Sequence, residues 1–169
     1  MMKITAQDPN PFSVAEIKAH MRVEHRVEDD VIARYLDGAL DFFERTTDHF
    51  LRETTCKQRF AESPVEVFTR PYVSLESAVD DDDDDVTVTV TEAPTGVTVF
   101  EWDSTSKGAA TLTWKVGETS RGTIPARCAQ AIRVLTSDAY VYRNFDNESQ
   151  VYRTMMSNSI FLGETRTTL

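Results

Sequence analysis

The stretch FSVAEIKAHMRVEHRVEDDVIARYLDGALDFFERTTDHFL, residues 12–51, decides how the rest of the chain is read. Ser13-Val14-Ala15-Glu16 has the form of a capping box, in which a hydroxyl and a carboxylate satisfy the orphan amides of a helix start. Phe12 and Ile17 stand where a hydrophobic staple would place them, so a short helix is predicted from Val14 to about Met21. Glu28-Asp29-Asp30 suits the positive end of a second helix dipole. Beyond it Val31, Tyr35, Ala39, Phe43 and Phe50 recur at helical spacing, with Ile32, Leu36, Leu40 and Leu51 beside them. This wide apolar stripe lasts roughly 24 residues, about 36 Å of helix. Arg34, Asp37, Asp41, Glu44, Arg45 and Asp48 occupy the other face, which is predicted to be solvated or to meet a polar partner.

Downstream the period changes from helical to alternating. Thr54 to Phe60 and Val65 to Phe68 are β-prone, broken by Ser63-Pro64 and ended by Arg70-Pro71. Tyr72 to Val79 reads as a strand or a turn. The contiguous run Asp80 to Asp85 follows, expected to be a self-repelling, solvated loop. Val86 to Thr91 alternates strictly, Ala93-Pro94-Thr95-Gly96 has turn chemistry, and Val97 to Trp102 pairs back. Ala110, Leu112, Trp114 and Val116 alternate with Thr111, Thr113 and Lys115, completing an antiparallel meander.

Helix then returns. Thr123 and Pro125 suit a cap and a first turn, predicting a helix over 124–144. Cys128, Ile132, Leu135, Ala139 and Tyr142 form one stripe, while Ala131, Val134 and Val141 lie on an adjoining face. A helix apolar on two sides needs two coverings, and Ala131, Val134 and Val141 are the candidates for contact with another subunit. The last segment, 145–169, mixes polar residues with Tyr152, Met155, Met156, Ile160, Phe161 and Leu162, a composition that suits docking on a neighbour. The predicted fold class is therefore α+β. A small helical core, built from the N-terminal helix pair (12–52) and the C-terminal helix (123–144), carries an inserted β-rich part (53–121) with its acidic loop 80–85. All of it is expected to form a single domain over 1–169.

Composition narrows the function. The chain has 18 Lys plus Arg against 28 Asp plus Glu, a net charge of −10, which argues against a broad grip on nucleic-acid phosphates. The acid is uneven: residues 1–106 carry a net −13 and residues 107–169 a net +3. Ends of opposite sign can meet partners, or copies of the chain, with complementary potentials. No apolar run approaches the ~20 residues that span a bilayer. The opening MMKITAQDPNPF has no apolar signal region, so a soluble intracellular protein without membrane partners is expected.

Chemistry-bearing residues do not fall into a catalytic or metal pattern, and no catalytic residue, metal ligand or cofactor is expected. His20 and His25 are wrongly spaced for a helical metal pair, and Cys56 and Cys128 fit no zinc spacing. Contiguous aspartates do not build a calcium cage, which needs spacers, a glycine bend and a distal glutamate. Cys128 lies on an apolar stripe and Cys56 in an alternating strand, poor settings for a nucleophile. Trp102 and Trp114 have no interleaved cations and read as core rather than as a base-stacking platform.

With no enzyme signature, the layout itself is informative. Ser13, Glu16, Lys18, Arg22, Val23, Asp29, Asp30 and Ile32 sit as in the head–tail connector (adaptor, head-completion) family of tailed bacteriophages, which this opening resembles. The closing element, from Ile124-Pro125 through Ala131-Ile132 to Tyr140, Arg143 and Asn144, resembles that family's last helix. The resemblance covers residues 12–52 and 123–144. Thr46-Thr47-Asp48-His49-Phe50 departs from it in lacking the usual glycine, and Arg143 precedes Asn144 instead of following it.

The resemblance implies a structural virion protein, made in the host bacterial cytoplasm and placed in the neck. It implies a homo-oligomeric ring of about a dozen copies between the portal protein and a tail or stopper protein. Double-stranded DNA would pass through that ring without specific binding. Portal-side contacts are then expected from Arg143, Tyr152, Met155, Met156, Ile160, Phe161 and Leu162, with the acidic loop and meander facing outward or toward the next tail component.

Two other classes compete. An acidic protein-binding module or DNA mimic would be a monomer or dimer forming a 1:1 complex. A small enzyme would need His49, Cys56 or an acidic pair in one cleft. A tail-tube or tail-terminator protein is a near neighbour, but those folds are mainly β and do not begin with a long helix.

Overall fold

The computed structural model describes residues 1–94 and 96–142. Its elements are β1 (Lys3–Gln7), α1 (Val14–Met21), α2 (Asp29–Thr47), β2 (Thr54–Phe60), β3 (Val65–Val67) and β4 (Tyr72–Asp80). They continue with β5 (Thr89–Glu92), β6 (Thr98–Glu101), α3 (Ser104–Lys107), β7 (Ala110–Val116) and α4 (Ala126–Tyr142). The chain is thus α+β, with all strand pairing antiparallel. It divides into two compact units: Met1–Pro9 with Arg52–Thr119, and Asn10–Leu51 with the chain from Ser120 onward.

The first unit holds the strands. One sheet has the order β1-β2-β7-β4 and the other β3-β6-β5. The three strands expected of the meander are all present but are shared between the two sheets. β5 and β6 form a hairpin that takes β3 as its third strand, while β7 crosses to the centre of the larger sheet. β7 buries the face carrying Ala110, Leu112, Trp114 and Val116, and a strand that deep in the unit must pair its backbone along both edges, here with β2 and β4. Phe100 of β6 ties the sheets together, its ring centroid 5.8 Å from that of Trp114 and 6.0 Å from that of Tyr72. Both indole N–H groups find acceptors, Trp114 at Thr69 Oγ1 (3.3 Å) and Trp102 at the Gly108 carbonyl (3.0 Å), as buried tryptophans require.

β1 was not expected, because ordered structure was predicted to begin at Ser13. It pairs with β2 at the sheet edge and every one of its residues is exposed. A strand held by backbone pairing with no buried face leaves no hydrophobic signature in sequence.

The acidic run is solvated from Asp81 to Asp85, as expected, and is folded into a tight turn. Asp80 ends β4 with its side chain buried, and its Oδ1 accepts from the amides of Asp82 (3.1 Å) and Asp84 (2.9 Å). Asp83 adopts φ 63°, and Asp81 is clasped by Arg59 through bonds of 2.8 and 2.6 Å.

The second unit is helical. Phe12, Ile17, Ile32, Leu36, Ala39, Leu40, Phe43 and Leu51 pack with Ile124, Cys128, Ile132 and Leu135 in one core. α2 is shorter than its apolar stripe: it ends at Thr47, and Asp48 takes a left-handed conformation with φ 54°. The Thr47 hydroxyl donates to the Phe43 carbonyl (2.9 Å) and accepts from the His49 amide (3.2 Å). The buried Glu44 carboxylate then accepts from the Leu51 amide at 2.9 Å. His49, Phe50 and Leu51 are therefore buried by a turn and not by a further helical turn, and Asp48 occupies the left-handed position a glycine usually fills.

α4 begins at Ala126, later than expected. Thr123 does not cap it, since its hydroxyl donates back to the Ser120 carbonyl at 2.8 Å, while Pro125 accepts from the Ala129 amide at 3.1 Å.

Candidate partner-docking surface

The helical unit is pinned by polar contacts between its helices. Ser13 caps α1 by accepting from the Glu16 amide at 3.1 Å, as the capping box predicts. The Glu16 carboxylate serves α4 and the turn before it: Oε1 accepts from Arg121 Nη2 (2.7 Å) and from Arg133 Nε (3.2 Å) and Nη2 (2.5 Å). Partial burial pushes this carboxyl up, but hydrogen bonds from Arg133 and Arg121, and their charges, outweigh it and hold it below the ordinary carboxylate range. The Arg121 guanidinium also lies 4.5 Å over the Phe12 ring. Lys18 Nζ donates to Asp29 Oδ1 at 2.6 Å, tying α1 to the start of α2.

At the opposite end of α4 the Tyr140 hydroxyl donates to Glu28, the residue just before α2. Val23 and Tyr140 both pack on the unit's core. This brings the α1–α2 loop, residues 22–28, beside the end of α4. Three large apolar side chains there are left in solvent: Val27 is 90% exposed, Val141 66% and Tyr142 64%. Around Val27 the exposed loop residues are Arg22, Glu24, His25 and Arg26. Arg22 sits in a left-handed conformation, φ 58°, as the C-cap of α1, and this reverses the chain into the loop.

The three residues nominated for a subunit contact part company here. Ala131, only 1% exposed, belongs to the protomer's own core. Val134 is half-buried and packs against that core, while Val141 is in solvent. Tyr142, read from its spacing as part of the buried stripe, is exposed because α4 has passed the end of the core by that position. Arg143, Tyr152, Met155, Met156, Ile160, Phe161 and Leu162 lie outside the described residues. Sequence reasoning missed Val27, whose neighbours His25 and Arg26 carried no periodicity to mark it.

Among the described residues no group of three or more His, Cys, Asp and Glu side chains could hold a metal ion. Cys56 and Cys128 are both buried, and burial pushes the Cys56 thiol up to about 11. His49 is buried beside Phe43, ring centroids 6.4 Å apart. Among the described residues no helix is long and apolar enough to cross a membrane.

The charge asymmetry along the chain, −13 against +3, is milder between the two units. Residues 1–9 and 52–119 carry 7 basic and 15 acidic side chains, a net −8. Residues 10–51 and 120–142 carry 8 and 10, a net −2. The acid belongs mainly to the strand unit.

No protein-family model matches the chain, and no curated protein matches it in sequence. Solved structures do. A chain of the virion of the native gene transfer agent (GTA) particle superposes with a TM-score of 0.76 at 18% identity, covering 100% of this chain and 97% of that one. Chains from the neck of the empty GTA particle, computed with C6 symmetry, and of the native particle, computed with C12 symmetry, give TM-scores of 0.78 and 0.75 with the same identity and coverage. This chain thus shares the fold of those neck chains of a phage-like particle.

Proposed function

We propose that the chain is a structural, non-enzymatic connector in the neck of a phage-like virion, forming a ring between the portal and the tail or stopper protein. The observation that carries this is the match in fold to GTA neck chains, covering 100% of this chain and 97% of those. The C12 symmetry of one such neck supports a ring of twelve copies. A ring needs a heterologous contact that closes on itself, for which Val134 and Val141 offer apolar surface. Double-stranded DNA would pass through the channel. The net −10 of the chain favours passage over retention, because acidic walls repel phosphates. Residues 143–169, with Arg143, Tyr152, Met155, Met156, Ile160, Phe161 and Leu162, are assigned to the portal.

The test is sedimentation and electron microscopy of the full chain with purified portal rings of the same particle. Portal-dependent rings are expected, and deletion of residues 150–169 should abolish attachment while leaving the far-UV spectrum intact. A 1:1 complex with a nucleic-acid-binding protein, and none with portal, would reverse the assignment in favour of a DNA mimic.

A further inference from the structure

We infer that neighbouring copies join their larger sheets edge to edge, the outer edge of β1 in one copy adding to the outer edge of β4 in the next. The inference rests on the ring proposed above and names a contact for it on the strand unit. β1 and β4 are the end strands of the order β1-β2-β7-β4, and among the described residues no further strand pairs with either. The last part of β4 is covered by its own turn, where the Val86 amide donates to the Ala78 carbonyl at 2.9 Å, which leaves 72–77 as the open stretch. All five residues of β1 are exposed. An end strand with both faces and one edge in solvent is a template for another strand. Every neighbouring pair in the sheet is antiparallel, so β1 and β4 run in opposite directions. A copy placed head to tail therefore offers β4 antiparallel to β1 and continues the sheet. This contact uses two different edges, the heterologous kind that closes into a ring.

The side chains select the occupant. Ile4, Cys56, Trp114 and Leu75 stand opposite one another across β1, β2, β7 and β4, in one row on one face of the sheet. Cys56 and Trp114 are 0% and 1% exposed, but the row ends in solvent at Ile4, which is 49% exposed. Leu75, at the other end, is half-buried. Seating Leu75 of the next copy against Ile4 continues the row, and it places Glu76 opposite Lys3. Within its own sheet Lys3 faces Lys57, an unfavourable like-charge pair, and neither has an ion pair among the described residues. Glu76 is exposed and accepts from Ser74 Oγ at 2.5 Å, while the nearby Lys115 is paired with Glu53 at 3.0 Å. Glu76 thus supplies the acid that Lys3 lacks. Pairing of β1 with a second β1 would not, since Lys3–Gln7 contains no acid.

The full chain carrying Lys3→Cys/Glu76→Cys tests this, because Cys56 and Cys128 are buried. Both substituted positions are exposed, and unchanged thermal melting confirms folding. Mild oxidation of portal-assembled chain should give a ladder of covalent multimers extending beyond the dimer, and neither single variant should give one. Independently, Lys3→Glu should raise the chain concentration needed for ring assembly about fivefold at low salt, and Lys3→Glu/Glu76→Lys should restore it. Rings that form as in the parent for every charge variant, with no ladder from the cysteine pair, overturn the inference and leave the ring standing. A dimer from Lys3→Cys alone shows β1 pairing with itself and also overturns it. If the parent forms no ring on portal, the ring reading falls and this contact falls with it.

Discussion

Arg133 in α4 donates from both Nε and Nη2 to a single oxygen of Glu16 in α1, 117 positions earlier in the chain. A residue that the sequence marks as half of a local capping box is, in the folded protein, a long-range pin. The amide of Glu16 does the local work at Ser13, and its carboxylate holds α1 to the last helix. Because the carboxyl stays below its ordinary range when folded, the unfolded chain binds more protons than the folded one as pH falls through that interval.

The stability contributed by Glu16 is accordingly complete above the unfolded carboxylate range and lost as pH drops through the folded value. Glu16→Gln is expected to lower unfolding free energy by about 1–2 kcal/mol at neutral pH, allowing for the partial solvent exposure of all three partners. Urea titrations should show the gap between variant and parent closing below about pH 4. A gap that stays constant with pH would mean the loss is one of packing and not of charge.

Gly117 has a φ of 111°, and a Cβ built on it would lie 2.1 Å from the carbonyl oxygen of Arg52. Its amide also donates to the Pro71 carbonyl at 2.8 Å. Gly117→Ala must move backbone on one side or the other, and is expected to cost about 2–4 kcal/mol. A denaturant midpoint equal to the parent's would contradict this.

Trp114 is buried where the two sheets meet, against Phe60 and Phe100 with centroids at 6.2 and 5.8 Å. Trp114→Ala removes that contact and leaves a cavity, at about 3–5 kcal/mol. Trp114→Phe should recover part of this, since it restores ring packing but leaves Thr69 without its indole donor. Thermal unfolding of the three proteins should rank them parent, Phe, Ala.

Cys56 should be chemically silent in the folded chain. With its thiol pushed up to about 11, only about one molecule in a thousand is a thiolate at pH 8, and the side chain is buried besides. Thiol titration with an aromatic disulfide is expected to detect Cys56 only after denaturant is added. Rapid labelling of the native protein at this position would show that β2 opens far more readily than its pairing implies.

Local chemistry and period were enough to locate most elements. The bounds of α1 follow from Ser13 and the Phe12–Ile17 staple, and β2 coincides with Thr54 to Phe60, because capping and alternation act within a few residues of each other. The strands of the meander were legible for the same reason, though not their division between two sheets. That division depends on which strands pair along each backbone edge of β7, a question alternation cannot answer.

What the chain determined by itself was the identity of its amphipathic segments and the placing of a β-rich part between the α1–α2 pair and α4, since each depends on near neighbours. Only the tertiary structure decided that β1 joins the sheet edge, that α2 stops at Thr47, that Ala131 is interior while Val27 and Tyr142 are not, and that Glu16 reaches Arg133. Those outcomes depend on which surfaces meet across long separations. Burial is a property of the assembled surfaces, and the same apolar residue is core or docking face according to where the packing ends.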